Sequence, residues 1–197
     1  MNIIQLYNIK IGVDSYTEIE MTLSPREREK KAVLRVFERL TGVAVNTVCH
    51  YDDGAPFIVG YDFKISVSHC RSHIAVAVSD CAVGFGIDIE QWRGQLEKVK
   101  EKFLSPASLS VWAVNHESLL RAWTLMEATY KAARIKGLDI RNQIAMTPTS
   151  VDNIGNLQVV NGHIEVKHNT TKKYYNFSSL MLNTELVLSL VVNKEYE

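Results

Sequence analysis

The sequence predicts a mixed α+β fold, and three features carry that prediction. The stretch Val83-Gly84-Phe85-Gly86-Ile87-Asp88-Ile89-Glu90 alternates apolar residues with glycines and carboxylates. A period of two is the signature of a strand with one apolar face. Two helical segments end at glycines, Gly42 and Gly137. Short alternating runs surround them, so each half of the chain pairs a helix with a meander of strands.

In order, Ile3 to Ile11 reads as a first strand, rich in isoleucine. Ser24-Pro25-Arg26-Glu27 opens a helix: Ser24 is the N-cap, Pro25 fits the first turn, and Glu27 completes a capping box. The helix runs to about Leu40 with an apolar stripe of Val33, Val36, Phe37 and Leu40. Its outer face carries Arg26, Arg28, Lys30, Lys31, Arg35 and Arg39, a solvated basic face or a site for an anionic group. Asp52 to Pro56 is a turn cluster. Phe63–Cys70, His73–Val78 and Val83–Glu90 then read as three strands joined by the short turns Cys70–His73 and Ser79–Ala82, an antiparallel meander. A polar stretch from Gln91 to Ser105 separates the halves, with the boundary placed between residues 97 and 98. A long helix is expected over Glu117–Lys136. Strands are expected over Leu157–Val160, His163–Lys167, Lys173–Leu182 and Leu186–Val192.

Composition narrows the class. The chain has 197 residues, 46% of them hydrophobic and 22% charged, with zero formal net charge. That is ordinary for a soluble domain and offers no long-range field for nucleic acid or an anionic membrane. Cys49, Cys70 and Cys81 are odd in number and show no paired spacing, which suits a reducing compartment. The start, Met1 to Gly12, has neither the basic nor the long apolar region of a signal peptide. The cytoplasm is the expected location.

Candidate chemistry gathers at three places. Asp88 and Glu90 share a strand face, roughly 6.5–7 Å apart: either a strand end whose acids simply face water, or a pair close enough to touch one hard cation. Gly84 and Gly86 beside them leave bare backbone against which a ligand can lie. Glu127 and Lys131 are four residues apart and share a helix face, either as an exposed ion pair or as a carboxylate and a cation aimed into a cleft. His69 ends the apolar row Phe63, Ile65, Val67, where it is a core-edge residue or a donor to a phosphate.

Three segments in this order resemble the 4'-phosphopantetheinyl transferase superfamily, in its surfactin-synthetase-activator branch. Ile65-Ser66-Val67-Ser68-His69-Cys70 resembles the family's Ser-His segment. Gly86-Ile87-Asp88-Ile89-Glu90 matches its Gly-Ile-Asp-Ile-Glu run without change. Trp123 to Lys131 resembles its Trp-x-x-Lys-Glu-Ala-x-x-Lys helix, with Lys136-Gly137-Leu138 following. The resemblance implies an α+β fold of two similar halves related by a pseudo-twofold, with the site between them. It implies transfer of 4'-phosphopantetheine from coenzyme A to a serine of an apo acyl or peptidyl carrier protein, with Mg²⁺ as cofactor. By position it makes Asp88, Glu90 and Glu127 the metal-binding carboxylates. Glu127 is the expected acceptor of the serine proton and Lys131 the helper of the leaving group. Ser68 and His69 become contacts to coenzyme A phosphates. A monomer is expected.

The chain also departs from the family. Met126 and Ala55 stand where the family carries lysines, and Cys70 replaces a serine. The glutamate expected after Phe103-Leu104-Ser105 is missing. A charged hydrogen bond to phosphate is worth about 1.5–3 kcal/mol, so the loss of two lysines is expected to weaken coenzyme A binding on the order of a thousandfold. Arg28, Lys31 and Arg35 are the candidates to compensate. The alternative is a weakened or inactive relative that binds a carrier protein or coenzyme A.

Overall fold

The structure, a computed structural model, describes residues 1–80 and 84–194. It is mixed α and β, with two antiparallel sheets. The chain divides into two compact units, Met1–Val83 and Gly84–Glu197. The carboxylate strand therefore opens the second unit, whereas a boundary after residue 97 would have left it in the first. Cys81, Ala82 and Val83, which include half of one expected turn, lie outside the described residues. Among the described residues no helix is long and apolar enough to cross a membrane.

The first unit begins with β1 (Asn2–Leu6) and β2 (Ile9–Ser15), a hairpin where one strand was expected. Tyr7 and Asn8 between them have φ of 48° and 60°. Two successive left-handed residues make the tight turn whose twist matches the flanking strands, and asparagine tolerates it well. A single helical turn follows, α1 (Glu18–Met21), then α2 (Pro25–Thr41). Ser24 accepts from the Glu27 amide at the start of α2, and Gly42 closes it in the left-handed conformation. The remaining strands are β3 (Cys49–His50), β4 (Pro56–Phe57), β5 (Lys64–His69) and β6 (His73–Ser79). The sheet runs β1-β2-β6-β5-β4-β3. Val33, Val36, Phe37 and Leu40 of α2 pack on Ile65, Ile74, Val76 and Val78 to make its core. Gly12 of β2 lies directly under the helix: a Cβ there would stand 2.7 Å from Val36 Cγ1.

The second unit starts with β7 (Phe85–Gln91). It continues through α3 (Gln95–Phe103), α4 (Pro106–Trp112), α5 (His116–Ala133) and α6 (Ile140–Gln143). It closes with β8 (Ile144–Ile154), β9 (Leu157–His168), β10 (Thr171–Asn183) and β11 (Leu186–Asn193). The sheet runs β7-β11-β10-β9-β8. The three-strand meander expected for β5, β6 and β7 is therefore wrong in its last member. β5 pairs with β6, while β7 pairs with β11. Leu119, Leu120, Leu125 and Met126 of α5 join Ile164, Tyr175, Phe177 and Val191 of the sheet in one core.

The two units share a plan. Each has a strand, a long helix and four antiparallel strands, the last of which returns to pair with the first. From β2 the first sheet reads β2-β6-β5-β4-β3, and the second reads β7-β11-β10-β9-β8. The helix-with-meander pattern visible in the sequence is thus present in both.

Candidate functional site

Strand β7 has two buried faces. Ile87 and Ile89 are fully buried on one, and Gly86, Asp88 and Glu90 alternate on the other. That second face meets α5. A Cβ on Gly86 would stand 2.2 Å from the Ala128 carbonyl oxygen and 2.7 Å from the Ala132 nitrogen. The bare backbone at Gly86 therefore admits the helix, not a ligand as the sequence suggested. Only a residue without a side chain allows so close an approach.

That approach delivers Lys131 to the strand. Its Nζ donates to Asp88 Oδ1 at 2.9 Å and to the Ile87 carbonyl oxygen at 3.0 Å. Asp88 is 7% exposed, so this is a shielded ion pair. The sequence spacing had paired Lys131 with Glu127; the structure gives its ammonium to Asp88. Glu90 is half-buried and binds Arg93 at 2.9 Å, while its other oxygen accepts from the Gln91 amide at 2.9 Å. Glu127 is half-buried on the same helix as Lys131. Burial pushes its carboxyl above the usual range, the negative charge of Asp88 pushes it further, and that of Glu90 adds to this. Lys131 and Arg93 oppose the rise without cancelling it. The charges of Asp88 and Glu90 on β7 thus reach Glu127 on α5.

The helix carrying Glu127 and Lys131 starts at a reciprocal cap between Asn115 and Ser118. Met126, where the resemblance would have had a lysine, is fully buried in the core. Arg121 on the same helix, to which the sequence reading assigned nothing, is also buried, at 2% exposure. Its one signal was a glutamate, Glu117, four residues earlier.

Oxygen-only donors suit a hard divalent cation such as Mg²⁺, which takes one or two carboxylates plus phosphate oxygens. Asp88, Glu90 and Glu127 fit it in kind. Among the described residues no group of three or more His, Cys, Asp or Glu side chains is clustered as a metal site, and Asp88 and Glu90 are each held by a protein cation.

In the first unit the candidates separate. Arg35 is committed inside the protein: it binds Asp14, donates to both Glu20 oxygens at 2.9 Å, and reaches the Ser15 carbonyl oxygen at 3.2 Å. Burial raises Asp14 and Glu20, but the hydrogen bonds outweigh it and hold both carboxyls below the usual range. Those bonds come from the N-terminal ammonium and Arg35 to Asp14, and from Arg35 and the Thr17 amide to Glu20. Arg28 lies over the Tyr16 ring at 5.0 Å and points one NH at Met21 Sδ, 3.5 Å away. Burial pushes the Tyr16 hydroxyl up to about 12. Lys31 is exposed and lines a shallow depression with Leu23, Glu27, Lys30 and Leu34. Ser68 is buried in β5, and His69 is exposed, with Nε2 3.4 Å from Glu29 Oε2 on α2. Ala55 sits in the turn before β4, where its amide donates to Asp53 Oδ1 at 3.1 Å.

The first unit repeats the joint of the second. Gly12 lets α2 close on β2, and Asp14, two residues on, receives the α2 cation Arg35, just as Asp88 receives Lys131.

Neither models of known protein families nor curated protein sequences give a match to this chain.

Proposed function

We propose that the chain transfers the 4'-phosphopantetheine arm of coenzyme A to a serine of an apo acyl or peptidyl carrier protein, releasing adenosine 3',5'-bisphosphate. In this reading the two units of matching strand order are the two halves of the phosphopantetheinyl transferase fold. The observation that carries it is the joint of β7 and α5. Glu127 on α5 feels the charge of both Asp88 and Glu90 on β7, an element distant in sequence, and Lys131 stands against Asp88. These are the residues that the resemblance singles out.

The serine hydroxyl oxygen attacks the β-phosphorus of the coenzyme A pyrophosphate. The new bond is serine O–P, and the bond to the bisphosphate oxygen breaks. Such transfers depend on positioning and on neutralising spread negative charge. Asp88, Glu90 and Glu127 would hold Mg²⁺, which when bound neutralises pyrophosphate charge. Glu127 takes the serine proton, and its raised affinity for a proton suits a general base. Lys131 leaves Asp88 to offset charge on the departing oxygen. Arg28, Lys31 and His69 are the candidates to meet coenzyme A phosphates, whereas Arg35 is taken up by Asp14 and Glu20.

The test is incubation with coenzyme A, Mg²⁺ and a panel of apo carrier proteins, read by the mass of the added arm. Glu127→Gln should abolish transfer in a folded protein. A panel without product from the wild-type chain overturns the reading. The buried Met126 favours a second one, a binding module that has lost a phosphate-facing cation. Calorimetry separates the two: heat with a carrier protein but none with coenzyme A supports the module.

A further inference from the structure

The second unit holds a buried cation that the proposed chemistry does not use. Arg121 lies on α5, less than two turns before Glu127. Its NH1 donates to the Ser179 carbonyl oxygen and, at 3.4 Å, meets Ser179 Oγ. Its NH2 donates to Gln158 Oε1 at 3.1 Å, and its Nε donates to Glu117 Oε1 at 3.0 Å. A polar seam continues from there. Ser189 Oγ donates to Ser179 Oγ at 2.9 Å and lies 2.7 Å from Thr124 Oγ1. Thr124, Ser179 and Ser189 are fully buried. Ser189 is directly opposite Asp88 in the β7–β11 register. The seam therefore runs along the sheet-facing side of α5, from Glu117 to the strand position of Asp88.

A methionine or leucine would fill this place without the cost of taking a charge out of water. Apolar packing is non-directional and tolerates sliding of a helix along a sheet. A planar guanidinium bonded at once to β10 and β9 does not, because its donors have fixed directions. Further along the same helix, Lys131 must reach one carboxylate and one carbonyl on β7. The joint at Gly86 sets how close α5 lies to the strand.

We propose that Arg121 is a positioning residue that fixes the axial register of α5, so that Glu127 and Lys131 meet Asp88. Its consequence for catalysis rests on the transferase reading; the register itself does not. The experiment is a double-mutant cycle on stability, measured by urea unfolding of the full chain: wild type, Arg121→Met, Lys131→Met and the pair. Side chains this far apart with no shared partner ordinarily add. If Arg121 sets the register, the Lys131→Met effect on the unfolding constant falls to about a third or less in the Arg121→Met background, because the Asp88 contact is already lost. Additive effects overturn the proposal and leave Arg121 a local strut. Should Arg121→Met not fold, the exposed change Gln158→Ala takes its place in the cycle, with the same sign and a smaller size expected. The second readout is transfer: Arg121→Met lowers kcat by about a hundredfold, the cost of roughly 1 Å of misplacement, with KM for coenzyme A within about twofold. A change in KM alone counts against positioning. If the wild-type chain shows no transfer, the transferase reading fails while the cycle still decides the role of Arg121.

Discussion

Replacing Gly86 with alanine puts one methyl group where the structure has none to spare. The added carbon would stand 2.2 Å from the Ala128 carbonyl oxygen, 2.7 Å from the Ala132 nitrogen and 2.9 Å from Lys131 Cβ. Two of these are backbone atoms, so no rotamer change relieves them. Ordinary contact begins near 3.4 Å, so α5 has to retreat from β7 by about 1 Å. The Lys131–Asp88 bond of 2.9 Å then opens toward 4 Å, past hydrogen-bonding range. Two effects follow. Overpacking costs about 1–3 kcal/mol, read as a lower urea midpoint at unchanged slope. Misplacement of the α5 side chains by about 1 Å lowers kcat of transfer by about a hundredfold. Lys131→Met should then cost little further stability in the Gly86→Ala background. An alanine variant with wild-type stability and a full Lys131 contribution would refute the claim that the bare backbone sets this joint.

Arg35→Met should lower stability by about 2–3 kcal/mol in urea unfolding, since it leaves the buried Glu20 without its cation and removes one of the three cations that hold Asp14. A loss under about 0.5 kcal/mol would mean the network is neutral. The same network sets an acid limb. Asp14 and Glu20 have folded pKa values below their unfolded ones, so their contribution is present above about pH 4 and is lost as pH falls through the folded values. Thermal midpoints from pH 7 to pH 2 should show that decline, and a shallower one for Arg35→Met. Glu127 has the opposite sign. Its folded pKa is raised by burial and by Asp88, so its contribution is present below about pH 4 and is lost as pH rises through the folded value. Glu127→Gln should therefore raise the midpoint at pH 7 while it removes transfer. An unchanged or lower midpoint would deny that Glu127 is a costly charge.

Helix α2 was legible in the sequence because every signal was local: Ser24, Pro25, the stripe from Val33 to Leu40, and Gly42. Strand β7 was legible through its alternation. Its partner was not. Neighbours in sequence are the default partners in a meander, but β7 pairs with β11, and no local residue specifies a strand so far along the chain. The hairpin at Tyr7-Asn8 was hidden because its turn contains no glycine. Strand β8 was hidden because Thr147 to Ile154 is exposed throughout, so it lacks the alternation that burial imposes. The site was half legible. The carboxylates and Lys131 came from spacing and resemblance. That Lys131 reaches Asp88, and that Arg35 is spent on Asp14 and Glu20, depends on how the helices lie on their sheets.

The joint of glycine, aspartate and helix cation is built twice in this chain, but the two castings behave differently. Arginine gripping a pair of acids through a flat fork makes the one at Gly12 a rivet. Lysine resting on a single carboxylate makes the one at Gly86 a clasp, able to open without pulling the plate apart. One chain thus carries a riveted form of the joint in its first unit and a releasable one in its second.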